Sequence, residues 1–367
     1  MSNSPRALAE PLVFRNGMQA RNRAWLAPLT NLQSHADGTL SDDELHWLTV
    51  RAQGGFGVIE TCAAFIAQDG KAWPGELGIA NEAHLPGLRT LASALSGAGA
   101  LGLVQIFHGG VRAPSKVSGT RPWSASEWTE ETPGFEAPRA ATEADIEGVI
   151  AHFRDAAVRA HAAGFGGVEL HGAHGYLLSQ FLSRTMNERT DAWGGSIEGR
   201  ARMIREAVRA VRAAVPASFL VGVRISPEDF GQARGLDLDE SLTVARWLAD
   251  DGIDFLHASL WDVTRRTSKR PEEHAIPLLR NVLPSEVVLV AAGKIWTREE
   301  ADAALALGAD AVCLGRAAIA NPDWPQRIAA GLELKRPPLT PAELRERGLS
   351  ESFVGYMRNW KGFVADV

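Results

Sequence analysis

Apolar residues along this chain fall into two alternating rhythms. Short runs rich in aliphatic residues recur at Ala24–Leu29, Gly57–Thr61, Leu101–Ile106, Gly167–His171, Leu220–Ile225, Phe255–Ala258, Val287–Ala291 and Ala311–Leu314. They predict buried strands. Between them, apolar positions three and four apart predict amphipathic helices at Asp42–Gln53, Glu82–Leu95, Glu143–Ala163, Ile197–Val215, Leu238–Asp251, Glu273–Asn281 and Thr297–Leu307, with Pro322–Ala330 after the last strand. Local signals agree: Thr297 precedes Glu299 and Glu300, and Gly308 follows Leu307, a start and a stop for one helix. The repeated strand–helix alternation predicts a parallel sheet of the α/β class, closed as a (β/α)8 TIM barrel. The open, doubly wound alternative lacks its Gly-x-Gly-x-x-Gly turn after the first strand.

Three segments interrupt the rhythm. Leu12 to Met18 reads as a small hairpin around Asn16-Gly17, suited to covering the bottom of a barrel. Phe107 to Ala141 is long, with Pro114, Pro122, Pro133 and Pro138 and with Trp123 and Trp128. A connection of that length is usually a lid or an inserted subdomain. From about Pro337 the chain ends in a tail bearing Tyr356, Arg358 and Trp360, expected to pack on the body or on a neighbour. The expected organisation is one domain over residues 1–367, with the barrel at about 11–331 and the tail at 332–367.

Composition narrows the class. A chain of 367 residues with 45% hydrophobic content can bury a large core. A net charge of -6 argues against nucleic-acid or acidic-membrane binding. The two cysteines, Cys62 and Cys313, are far apart, so neither a disulfide framework nor a metal site is expected. Met1 to Glu10 lacks a long apolar core, and the expected location is cytoplasmic.

The chemistry gathers at the strand ends. Gly164 to Ser179 breaks from a strand at glycine and delivers His171, His174 and then Tyr176. On a continuing strand, positions three apart face opposite ways, so the two imidazoles converge only if the chain turns at about Gly172 into a helical turn. Polar rings collected at a strand's carboxyl end suit an active site, although a hydrogen-bonded histidine pair in a structural turn is the plainer alternative. Other strands end on Ala27-Pro28-Leu29-Thr30, Thr61, Gln105 with His108, Gly293-Lys294 and Gly315-Arg316. Loops after the seventh and eighth strands of a barrel commonly hold a phosphate. Arg224 alternates with Val223 and Ile225, which points its guanidinium into the barrel. A buried guanidinium needs an anion, either Glu169 on the neighbouring strand or a bound cofactor.

Taken in order, these motifs resemble the old yellow enzymes, FMN-dependent ene-reductases built on a (β/α)8 barrel. The resemblance spans about Pro11 to Arg327 and includes His171-Gly-Ala-His-Gly-Tyr176 and Asn187 to Ser196. It implies that Ala27, Pro28, Leu29, Thr30, Thr61, Gln105, His171, Arg224, Gly293, Lys294, Gly315 and Arg316 surround FMN. It implies that His171 and His174 hold the substrate's activating oxygen and that Tyr176 donates a proton. Leu32, Thr30 and the longer tail depart from one bacterial branch of that family. The expected activity is reduction of activated C=C bonds in α,β-unsaturated carbonyl compounds, with NADPH or NADH as reductant. Alternatives are a non-redox lyase or isomerase with a phosphorylated substrate, a flavin reductase with a different acceptor, and a flavin-binding protein without turnover. The expected partners are a small enone-type molecule and a second copy in a homodimer. Arg189 and Asp191 are read as an architectural ion pair, with Ser196 as a helix cap.

Overall fold

The computed structural model describes residues 7–365; residues 1–6, part of the N-terminal stretch read above, lie outside it. Eight parallel strands close on themselves: β1 (Ala24–Leu26), β2 (Val58–Glu60), β3 (Leu101–Phe107), β4 (Gly167–Gly172), β5 (Leu220–Ile225), β6 (Phe255–Ser259), β7 (Val288–Ala292) and β8 (Ala311–Leu314). Closure is made where β8 pairs with β1, Cys313 lying opposite Trp25. The main helices between the strands are α1 (Asp42–Gln53), α2 (Leu85–Gly97), α3 (Glu143–Ala163), α4 (Ile197–Ala214), α5 (Leu238–Asp250), α6 (Ala275–Val282) and α7 (Arg298–Ala306), with shorter helical segments at Ser115–Ser118 and Leu177–Leu182. After β8 come α8 (Arg316–Ala320), α9 (Trp324–Ala330), α10 (Pro341–Glu346) and α11 (Glu351–Met357).

Side chains alternate along each strand. Val221, Val223 and Ile225 join the apolar layer beneath the helices, while Leu220 and Arg224 point inward. Inside the barrel floor, Leu12 and Phe14 of the N-terminal hairpin meet Trp25, Leu103, Leu220 and Phe255. Trp25 and Phe255 pack edge to face at 5.2 Å, and burying each such side chain contributes about 1.5–3 kcal/mol. The hairpin pairs Leu12 with Ala20 and is pinned by Arg15, which donates to Asp254 at 2.7 Å.

Differences from the sequence reading lie at element ends. The first strand stops at Leu26 rather than Leu29, and the Ala27–Thr30 stretch runs irregularly at the mouth. The Glu82–Leu95 helix divides into a 3-10 turn, Glu82–His84, and α2, because Asn81 caps the turn and Pro86 opens the α-helix. The sixth helix begins at Ala275, since His274 accepts from the Ile276 N–H at 3.1 Å as its cap. The long segment after β3 is a small subdomain: Trp123–Ser124 pairs in parallel with Arg139–Ala140. Arg189 braces it, donating to the Ala125 carbonyl at 3.0 Å and the Ala141 carbonyl at 2.6 Å while also pairing with Asp191. Ser196 caps α4.

Candidate active site

The turn after β4 does not begin a helix directly. Gly172 ends the strand, His174 and Gly175 both take left-handed backbone angles (φ 58° and 73°), and the next helix starts only at Leu177. Gly175 has no alternative there, because a Cβ would lie 2.2 Å from the Gln232 carbonyl oxygen. This tight turn, rather than the expected helical one, brings the rings together. His171 and His174 have centroids 5.0 Å apart, and His171 and Tyr176 4.9 Å.

Hydrogen bonds fix which atoms remain able to donate. The Ala173 N–H donates to His171 Nδ1 at 3.2 Å, which leaves the ring proton on Nε2. Arg224 Nη2 donates to Ser259 Oγ at 3.3 Å, and that hydroxyl meets His174 Nε2 at 2.7 Å. Ser259 and His174 share one hydrogen in this contact, and the His174 ring carries its proton on Nδ1 in the tautomer in which the serine donates. Burial, then the positive charge of Arg224 and Arg112, holds His174 well below the ordinary imidazole range. Burial does the same for His171, reinforced by His174 and Arg224. Both rings are therefore neutral donors at physiological pH. Burial also raises the Tyr176 phenol above its ordinary value, so it keeps its proton. The Arg112 guanidinium lies 4.3 Å over the Tyr176 ring.

A cavity of about 320 Å³ opens at the carboxyl end of the barrel. Ala27, Pro28, Leu29, Thr30, His174, Arg224, Gly293, Lys294, Gly315 and Arg316 line it, so most of the expected cofactor residues meet there. Four expected residues do not line it. Thr61 is fully buried and donates to the Cys62 carbonyl at 2.7 Å. Gln105 donates to Glu169 at 2.6 Å in the layer below. His171 and Tyr176 sit beside the cavity, packed against Phe107. Lys294 turns its ammonium to Asp262 at 3.3 Å and lies over the Trp261 ring. Glu169 is engaged by Gln105 and His257 rather than by Arg224.

The tail contributes side chains that the sequence left without a role. Phe353, Tyr356, Met357 and Trp360 wall the cavity, Tyr356 packed on Trp360 at 5.0 Å. Trp261 also lines it, stacked on Phe230. No local spacing marks these residues, because their placement comes from packing of distant segments. Trp123 and Trp128 do not reach the cavity: Trp123 donates to Asp69, and Trp128 packs on Phe135. Trp73 lies against Phe107 and Tyr176.

The residues present fit a flat, anionic cofactor. Among the described residues, the buried Arg224 Nε has no hydrogen-bond partner, and a Cβ on Gly315 would meet only Leu29 at 3.4 Å, leaving room for close approach. A (β/α)8 barrel with such a mouth is a cofactor-binding enzyme. Residues 7–335 match the model of the NADH:flavin oxidoreductase / NADH oxidase family. A probable NADH-dependent flavin oxidoreductase of Bacillus subtilis, YqiG, is 36% identical over 91% of this chain and 90% of its own length. An NADH:fumarate oxidoreductase of Klebsiella pneumoniae is 35% identical over 91% of this chain, which spans only 37% of that longer protein. The structure of an old yellow enzyme homologue from Zymomonas mobilis superimposes with a TM-score of 0.82 at 30% identity, covering 94% of this chain and 97% of that one. The chain belongs to this family, that of the old yellow enzymes, and is an NAD(P)H-dependent flavin oxidoreductase with FMN as its cofactor. Membership sets aside the non-redox lyase and isomerase alternatives. No helix among the described residues is long and apolar enough to cross a membrane.

Proposed function

We propose that the protein reduces the activated carbon–carbon double bond of α,β-unsaturated ketones and aldehydes, using NADH or NADPH. One observation carries this reading: two neutral imidazoles and a protonated phenol stand ring to ring, 5.0 and 4.9 Å apart, beside the cavity that Arg224 lines. FMN bound there would supply the redox chemistry, the relay of hydride between the nicotinamide and the substrate's double bond. Ala27 to Thr30, Arg224, Gly293, Lys294, Gly315 and Arg316, which line the cavity, would hold it.

The substrate's carbonyl oxygen takes hydrogen bonds from His171 Nε2–H and His174 Nδ1–H. These donors draw charge from the β-carbon and stabilise the oxygen as it becomes anionic. Fixed neutral donors suit this role, since their orientation is set by Ala173 and Ser259 before the substrate arrives. Tyr176 Oη gives its proton to the α-carbon. The apolar wall from the tail, Phe353 and Met357 above all, excludes water and selects flat, hydrophobic acceptors.

The test is steady-state turnover under anaerobic conditions. NADH or NADPH oxidation by the purified protein should depend on added 2-cyclohexenone and yield cyclohexanone. Turnover with quinones and with no enone of a panel would overturn the reading.

A further inference from the structure

Beneath the cavity, one layer of the barrel interior is polar where apolar packing is the rule. Glu60 of β2, Gln105 of β3, Glu169 of β4 and His257 of β6 are at most 1% exposed. One ligand-type atom each from Glu60, Glu169 and His257 lies within 4.8 Å of the others. Arg224 stands at the next level, opposite His171 on β4 and His257 on β6 in the strand register. Cys313 of β8 faces the same interior and is held as a thiol by burial. β1 contributes Trp25 and β7 contributes Val288, Val290 and Ala292, which do not titrate.

The hydrogen bonds assign the charges. Glu169 accepts from Gln105 Nε2 at 2.6 Å and from His257 Nδ1 at 2.7 Å, one to each oxygen. Two donors of that kind hold it as a carboxylate. Glu60 is different: among the described residues, no group donates to either of its oxygens. An ionised carboxylate can only accept, whereas a protonated one gains a donor. The adjacent carboxylate of Glu169 is its natural acceptor. Desolvation, then the negative charge of Glu169, raises Glu60 well above the usual carboxyl range. His257 uses Nδ1–H on Glu169 and has no partner at Nε2, so burial keeps it neutral. Arg224 acts on both carboxyl groups through charge rather than through a hydrogen bond.

We propose that Glu169 is the buried counter-charge of Arg224 and that Glu60 stays protonated beside it, so that this layer sets the flavin's reduction potential. With this assignment Arg224 is positive, Glu169 negative, and Glu60 and His257 neutral. The layer therefore tempers the positive field that Arg224 presents to a cofactor that becomes more negative on reduction. Glu169 is a positioning residue: it acts through Gln105, His257 and Arg224, not on the substrate.

The inference rests on FMN binding in the cavity, and its test separates the two. Dye-equilibrated reduction of each holoprotein gives the midpoint potential of the bound flavin. Glu169→Gln removes the negative charge and should favour the reduced flavin at least about tenfold, a rise of about 30 mV for a two-electron couple. Glu60→Gln replaces one neutral group by another and should change the equilibrium less than twofold. An unchanged or lowered potential in Glu169→Gln overturns the proposal. So does an equal rise in both variants, which would place a negative charge on Glu60. Infrared spectra keep the proton assignment testable if Glu169→Gln fails to fold. The parent holoprotein at neutral pH should show a carboxylic-acid C=O band that Glu60→Gln lacks, and an identical spectrum in the variant overturns the assignment. A colourless parent that cannot be reconstituted with FMN would instead sink the cofactor assignment itself.

Discussion

Tyr176 offers the sharpest separation of roles at the scale of single residues. Tyr176→Phe keeps the ring that packs on Phe107 and His171 and deletes only the proton source. Flavin content and reduction by the nicotinamide should stay near the parent. Enone reduction should slow strongly, while a quinone, which needs no proton on carbon, should be reduced at nearly the parent rate. Stopped-flow rates with both acceptors check this, and equal losses would make Tyr176 structural. His171→Ala or His174→Ala should each slow enone reduction by about 3 kcal/mol in transition-state terms, the usual effect of losing one such donor. The pH profile follows from the direction of the shifts. Both imidazoles are held below their ordinary value and Tyr176 above its own. Enone kcat/KM should therefore be flat from about pH 6.5 to 9, with no break at the ordinary histidine value. A break near neutrality would show an imidazole titrating in the active protein.

At the scale of elements, two glycines that looked alike in the sequence do different work. A Cβ on Gly293 would lie 2.0 Å from the Leu260 carbonyl oxygen, so Gly293 is needed for β7 to meet the loop after β6. Gly315 has space around it. Gly293→Ala should lower the melting temperature and the yield of folded protein, whereas Gly315→Ala should fold normally and bind FMN more weakly. Thermal melts with and without added FMN separate the two. Helix α11 supplies a second element-scale expectation. Tyr356→Ala removes wall area at the cavity. It should raise KM for 2-cyclohexenone on the order of tenfold while flavin content holds.

Legibility in the sequence also divided by element. Asp42–Gln53 and Glu143–Ala163 were readable to the residue because Ser41 and the Thr142–Asp145 capping box start them and Gly164 stops the longer one. The inward direction of Arg224 was readable because alternation needs only its own strand. Helix α8, which has no side-chain cap, and the cavity wall of α11 were not readable, since helices too short for a long periodicity are set by what they pack against. The polar layer was hidden for the same reason: Glu60, Glu169 and His257 lie on three strands far apart in sequence. Only barrel closure makes them neighbours.

For the molecule as a whole, the barrel holds its floor and its mouth apart. Arg15 and Arg212 both reach Asp254, which also accepts from the Val221 N–H at 2.8 Å. This buried carboxylate ties the N-terminal hairpin to the bottom, leaving strand ends free for chemistry at the top. Enone reduction takes place at that top face, and a single-turnover experiment tests it. The protein is reduced anaerobically with one equivalent of NADH or NADPH until the flavin absorbance is bleached, then mixed with one equivalent of 2-cyclohexenone. The account predicts return of the oxidised spectrum together with one equivalent of cyclohexanone. A flavin that stays bleached with the enone, yet recovers its colour when oxygen is admitted, would contradict it.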